Sequence, residues 1–317
     1  MKVILSDLEA LGRYVSKEFY CIMRELIETH GWAQIEMDAL LYSTRPLKDA
    51  LVEKLGEMPE TILFWEGYDF LNTRALDVLE MNCRKCIFAD DLHSWNPGMK
   101  QRKRIAFLMC DTVFSTYAYV IDEFYPLLSR KTRLVWVPHS ASPDFLLPFN
   151  EEPENAVFLS GAIDGHYPLR GRLRALHDSQ TYAIAYHPHP GYHCHYNHAV
   201  DESVGRGYAR KINRYRVAFT DAPKYRYVVA KYFEIPATGS LLLAHSFIGA
   251  PFEKLGFIDG VHYVSVSDED LEQKIDFVLD ERNHAAIDEI RRAGQRLVWT
   301  RHTTGDRARL IDEVCSS

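Results

Sequence analysis

The chain has 317 residues, of which 47% are apolar and 26% charged, and it carries a net charge of −7. Such a composition belongs to a globular protein rather than a disordered one, and the length suits two domains of about 150 residues each. The acidic balance argues against a dedicated nucleic-acid binder, because phosphate contacts need a basic surface.

The first half alternates between two periodicities. "KVILSD" (Lys2–Asp7) reads as a strand; Val15, Phe19, Ile22, Met23, Leu26 and Ile27 then recur at helical spacing. "TILFW" (Thr61–Trp65) predicts a strand, followed by a helix through Leu71, Leu76 and Leu79. "KCIFAD" (Lys85–Asp90) is another strand, and a helix is expected around Gln101–Met109. "TVFSTY" and "RLVWVPH" continue the rhythm. Alternating strands and helices imply a parallel sheet covered on both faces. Of the six cysteines only Cys83 and Cys86 are close, and one CxxC lacks the second pair of a zinc ribbon. With no signal-peptide pattern and no apolar run of about 18 residues, reduced thiols and a cytoplasmic location are the expectation.

"SASPDFLLPFNEEPEN" (Ser140–Asn155) has three prolines and no periodicity, and is read as a linker. The expected domains are 1–148 and 149–317, with the last helix a candidate to pack back on the first domain. A second alternating run starts at "AVFLSGA" and continues through "TYAIAYH", "RVAFTDA" and "SLLLAHS", before a helical tail from Asp268 to Val314. Two doubly wound, Rossmann-like domains are predicted, facing a cleft at the carboxyl ends of their strands, where such folds bind ligands.

Between these strands, "HPHPGYHCHYNH" holds His187, His189, His193, His195, His198 and Cys194, five of the chain's 14 histidines. The i,i+2 spacing points pairs of them the same way on an extended segment, but no established zinc spacing is present, and no metal site is expected. From Arg206 to Lys231 there are eight Lys or Arg residues and one acid, Asp221, which predicts a local anion-binding face. In "KYFEIPATGS", Lys231 and Glu234 share one face of a helix expected to start near Val228 and to end at Gly239. Lys231, nearer the helix start, suits a phosphate, and Glu234, one turn further in, suits the vicinal hydroxyls of a ribose. A solvent-exposed ion pair has the same spacing. In "FLSGAIDGHYPLRGRL", Ser160 and Gly161 permit close backbone approach and Arg170 is placed to clamp a phosphate bidentately.

"KYFEIPATGSLLLA" resembles the C-terminal-domain motif of GT-B glycosyltransferases, and is most similar to the spore-maturation-protein-like branch of the family-1-type enzymes. "EKLGFIDGVHYVSVSDEDLEQKIDFVLD" and "RRAGQRLVWTRHTTGDRARLI" resemble the stretches that follow it. The likeness extends more loosely to "ADDLHSW", "STYAYVIDEFYP" and "VWVPHSASPDF". It implies that Glu234 binds the donor ribose and Lys231 the diphosphate, with Thr238 and Gly239 in the same motif. "HPGY" also resembles the family, which makes His189 and Tyr192 candidates for the donor side. The second glutamate of many retaining members has no counterpart, since Arg226 and Tyr227 stand there; inversion and retention both stay open.

The chain is therefore expected to move a sugar, hexosyl or pentosyl, from a nucleotide diphosphate to a hydroxyl acceptor, without a metal or other cofactor. Direct displacement needs a base for the acceptor proton. Asp7, Glu9, Asp90, Asp91, His93 and His139 are the candidates, each at a predicted carboxyl end of a strand, and Asp91 or His93 is favoured. Two alternatives stand beside this reading. One is a glycosyltransferase acting on a hydroxylated nucleic-acid base, suggested by "RGYARKINRYR" and "MKQRKR". The other is a metal-dependent hydrolase or binding protein built on the histidine loop.

Overall fold

The structure is a computed structural model that describes residues 1–94, 96–193 and 195–317; Cys194 of the histidine-rich stretch lies outside the described residues. The chain divides into two compact units. The first comprises Met1–Gly12, Phe19–Pro138 and Arg307–Ser317; the second comprises Arg13–Glu18 and His139–Asp306.

The first unit is built on a parallel sheet of six strands: β1 (Lys2–Ser6), β2 (Ala33–Glu36), β3 (Thr61–Trp65), β4 (Arg84–Ala89), β5 (Thr112–Ser115) and β6 (Arg133–Trp136), in the order β2-β1-β3-β4-β5-β6. Its central strands are buried on both faces, hence their near-continuous apolar runs. Ile4, Leu63 and Phe88 pack on one face with Ile22, Met23 and Leu26 of the Glu18–Glu28 helix and with Ile311 of the Thr304–Ser316 helix. The last helix is tied down at its end. Lys2 Nζ bonds Asp312, Trp32 Nε1 donates to the same carboxylate (2.6 Å), and Arg84 Nη1 donates to the carbonyl of Cys315 (2.8 Å).

The second unit carries β7 (Glu154–Gly161), β8 (Ile184–Pro188), β9 (Tyr215–Thr220), β10 (Leu241–His245) and β11 (Val264–Val266), all parallel, in the order β11-β10-β9-β7-β8. From β7 the chain moves to β8 on one side and then to β9 on the other. The boundary between β7 and β9 is therefore the topological switch point, where open α/β sheets bind ligands. Val157, Leu159, Val217, Phe219 and Leu243 form the centre of its core.

Both units are doubly wound, and the alternating pattern located nine of the eleven strands. β2 escaped because only Ile35 of its four residues is buried, and β11 because it has three residues. The expected helix through Leu71, Leu76 and Leu79 breaks at Arg74 into Tyr68–Thr73 and Ala75–Glu80. The buried Arg74 guanidinium bonds the carbonyls of Ser43 and Arg45, and the change of phase leaves Leu76 79% and Leu79 60% exposed. The Lys231–Ala237 helix starts three residues later than its pattern suggested.

Candidate active site

The carboxyl ends of β7, β8 and β9 gather one group of side chains in the second unit. β7 ends on Ser160 and on Gly161, whose φ of 108° is a conformation that only glycine adopts readily. A Cβ built there would lie 2.6 Å from Arg170 Nη1 and 2.7 Å from Lys231 Nζ. The missing side chain thus leaves a bare stretch of backbone with two cationic groups beside it.

Lys231, the first residue of its helix, donates from Nζ to Ser160 Oγ (3.1 Å). Ser160 Oγ in turn shares a hydrogen bond of 2.7 Å with Tyr208 Oη, from the Gly205–Asn213 helix. The Lys231 ammonium lies 5.7 Å from the Tyr208 ring centroid. Burial draws the Lys231 pKa down to about 7, helped by the positive charge of Arg170 and opposed by Glu234 and Asp221. Glu234, one turn on, is buried rather than solvated. Burial pushes its carboxyl up to about 7, the charge of Glu18 adds to this, and Lys231 and His139 pull it back. The solvent-exposed ion pair that the spacing also allowed is not what forms.

Arg170, expected to clamp a phosphate, gives several of its donors to the fold. Nη2 donates to Thr220 Oγ1 (3.0 Å) and to the Asp221 carbonyl (2.8 Å), and Nη1 to the Ala162 carbonyl (3.2 Å). Nε lies 3.1 Å from Asp221 Oδ1, and the guanidinium stacks 3.9 Å from the Tyr167 ring centroid. Asp221 Oδ2 also accepts the Leu169 N–H (3.0 Å), which caps the Pro168–Asp178 helix from β9. Arg170 holds the loop after β7 and supplies charge to the site at the same time.

The histidine-rich stretch disperses. His187, on β8, stacks 6.1 Å from Tyr208 and 6.2 Å from Phe158. His189 accepts the Gly191 N–H at Nδ1 (2.9 Å) and lies 4.4 Å from the exposed Tyr192 ring. Burial and then the charges of Lys231, Arg170 and His187 bring His189 down to about 4, which places it, neutral, beside the two cationic groups. His193 and His195 are exposed and stack on each other at 6.5 Å. His198 bonds the Tyr14 carbonyl through Nε2 (2.7 Å), and the Tyr196 N–H donates to the Arg13 carbonyl (3.0 Å), so this loop is fastened to the segment 13–18. Among the described residues no three His, Cys, Asp or Glu side chains gather in a metal-binding group.

His139 is held from an unforeseen direction. Its Nδ1 is 2.7 Å from Glu18 Oε2, while Glu18 Oε1 accepts from the Ser140 N–H (2.6 Å) and the Ser140 hydroxyl (2.9 Å). Glu18 and His139 are both buried, and both act on the titration of Glu234. The structure therefore groups Ser160, Gly161, Arg170, His189, Lys231, Glu234 and His139. It does not add Thr238 or Gly239, which close the far end of their helix. The Thr238 hydroxyl donates to the Ile235 carbonyl (2.7 Å), and a Cβ on Gly239 would meet Gln295 and Phe149. Asp91 and His93 belong to the first unit, where Asp91 is exposed and pairs with His93 at 3.7 Å. Glu18, Tyr208, Asp221 and His187 were not singled out from the sequence. Glu18 opens a helix 121 residues from His139 and lies in no motif; Tyr208 sits inside a basic run that drew attention to its charges instead.

The family model described as glycosyl transferase-like matches residues 172–313. Solved structures similar to the whole chain include the sucrose-phosphate synthase of Thermosynechococcus elongatus, at 11% identity and a TM-score of 0.65, covering 99% of this chain and 98% of that one. Anabaena HepE in complex with UDP-glucose is similar at 11% identity and a TM-score of 0.58, covering 100% and 99%. An alpha-glucosyltransferase in complex with UDP and a 13-mer DNA containing a HMU base is similar at 10% identity and 0.61, covering 100% of both chains. No curated protein matches the sequence. Residues 172–313 match a glycosyl transferase-like family, and the whole chain has the GT-B fold of these structures.

Proposed function

We propose that the protein transfers a hexosyl group from a nucleoside diphosphate sugar to a hydroxyl acceptor, and that the donor lies along Gly161, Lys231 and Glu234. The observation that carries this reading is the convergence of Lys231 and Arg170 on the bare backbone of Gly161 at the β7/β9 switch point. After burial, the charge of Arg170 lowers the affinity of Lys231 for its proton, and a diphosphate relieves that repulsion. Glu234, one turn away, accepts hydrogen bonds from the ribose diol.

The acceptor hydroxyl attacks the anomeric carbon, the bond from that carbon to the diphosphate oxygen breaks, and the diphosphate leaves with the electron pair. Lys231 balances the charge that develops on it, with Arg170 and the neutral His189 beside it. In a direct displacement His139 takes the acceptor proton at Nε2. The Glu18 contact favours the tautomer protonated at Nδ1, as a carboxylate does for a general base. Asp91 and His93 are weaker choices for that step. With protein cations placed at the leaving group, the reaction is proposed to run without a metal. Chelation should then leave the rate unchanged.

Among the described residues no helix is long and apolar enough to cross a membrane, and a cytoplasmic location is part of the same proposal. The nucleic-acid alternative has less support, since Arg210 and Arg214 of the basic run pair with Glu202 (2.7 Å) and Glu154 (2.5 Å). The test is a thermal-shift screen against UDP-, GDP-, ADP- and dTDP-glucose. A ligand that binds only the native state raises the melting temperature; a flat response to all four refutes the reading.

A further inference from the structure

The first unit holds a second group of inward-facing titratable side chains, at the carboxyl ends of β3 and β4. Glu66 follows β3 with a left-handed φ of 52°, an uncommon conformation for a residue with a side chain. Its N–H donates to the Phe88 carbonyl (3.0 Å), and its carboxylate receives the Asp90 N–H. Two residues on, Tyr68 is buried, with its ring edge-on to Phe107 at 5.9 Å. The Tyr68 hydroxyl has no hydrogen-bond partner among the described residues. Burial first, and then the charges of Glu66, Asp90, Tyr125 and Asp91, raise its pKa. Lys103, buried on the Pro97–Met109 helix, lies 5.0 Å from the Tyr68 ring centroid. Its ammonium donates to the carbonyls of Asp91 (2.5 Å) and His93 (3.4 Å), so it anchors that loop.

A buried phenol without a partner is costly, and native structures keep few of them. A left-handed glutamate two residues away adds a second local cost, of the kind that gathers at functional sites. Both lie where strands of an open α/β sheet end and ligands bind. A ligand that satisfies the phenol must accept from the Tyr68 O–H, and one that also meets the Glu66 carboxylate must donate to it; a hydroxyl does both. Three acids against one committed lysine repel a phosphate.

We propose that Glu66 and Tyr68 form the acceptor subsite of this enzyme, which takes adjacent hydroxyls of an uncharged sugar or polyol and discriminates against phosphorylated acceptors. The assignment rests on the glycosyl-transfer reading given above. Glu66 and Tyr68 act here as specificity-determining residues, distinct from the base.

The test uses the full chain labelled with 13C in its tyrosine rings. The Tyr68 signal is identified by its loss in Tyr68→Phe. Glucose, mannose and galactose are titrated against it, each beside its 6-phosphate, with no donor present. The expected result is a saturable movement of the Tyr68 signal with at least one free sugar, an affinity about tenfold weaker in Glu66→Gln, and no saturation with the 6-phosphates. Under turnover with the donor found in the screen, both variants should raise KM for the sugar by about tenfold while donor affinity stays within about twofold. Absence of any saturable movement, or tighter binding of a 6-phosphate, overturns the proposal. A chain that binds free sugars but no nucleotide sugar would instead refute the donor reading and leave the subsite standing.

Discussion

The two sheets of this protein end in groups of similar make-up and opposite bias. In the second unit Lys231 and Arg170 crowd Gly161, and Glu234 is the acid whose titration the lysine shares. In the first unit the charges of Glu66, Asp90 and Asp91 act on the titration of Tyr68, and the Lys103 ammonium lies 5.0 Å from its ring centroid. In each, burial pushes one glutamate up to about 7. The cations of the one and the acids of the other are why we assign an anionic diphosphate to the second unit's group and neutral hydroxyls to the first unit's.

The largest expected effect separates the two groups by substitution. Lys231→Met should weaken UDP-glucose binding about a hundredfold, as loss of a charge-assisted contact does. Glu66→Gln should leave it within about twofold, and calorimetric titration of both variants checks the contrast. Gly161→Ala comes next. It forces a side chain onto a φ of 108° and toward two cations, which should cost about 1–3 kcal/mol in denaturant unfolding as well as donor affinity. Tyrosine-to-phenylalanine changes give a smaller and opposed pair. Tyr208 shares a hydrogen bond with Ser160, so Tyr208→Phe should lower the melting temperature by a loss of about 1 kcal/mol. The Tyr68 hydroxyl has no hydrogen-bond partner among the described residues, so Tyr68→Phe should keep or raise it. Smallest of all, His193→Ala and His195→Ala, both at exposed positions, should change stability and turnover by less than about 0.5 kcal/mol.

The same contrast explains how much was legible. Lys231 and Glu234 stand three apart in one helix, and Ser160, Gly161 and Arg170 lie within one βα turn, so local spacing exposed the donor side. The acceptor-side group draws on residues 66–68, 90–91 and 103, brought together by sheet order rather than by spacing. Glu66 in "WEGYD" reads as an ordinary turn. Glu18 was hidden for the same reason, since its partnership with His139 exists only after folding. The histidine count alone carried little information: side chains close in sequence go to separate tasks once β8 and the fastened loop after it are in place. Arg170 shows the limit of residue type as a guide, because a buried arginine also ties the fold together through hydrogen bonds that its sequence position does not announce.

Lys231 and Glu234 titrate near one another, and we assign them to opposite ends of one donor. The direct measurement is the affinity for UDP-glucose across the pH range, with GDP-, ADP- and dTDP-glucose as alternates if it does not bind. Lys231 is drawn down to about 7, so it loses its charge as pH rises above that value. Glu234 is pushed up to about 7, so it gains a proton as pH falls below it. Affinity should therefore peak near neutrality and fall on both sides, with apparent pKa values that belong to the pair. Lys231→Arg should flatten the alkaline limb and Glu234→Gln the acid limb. A profile that is flat in the native protein, or one that neither substitution alters, would contradict the assignment of this pair to the donor.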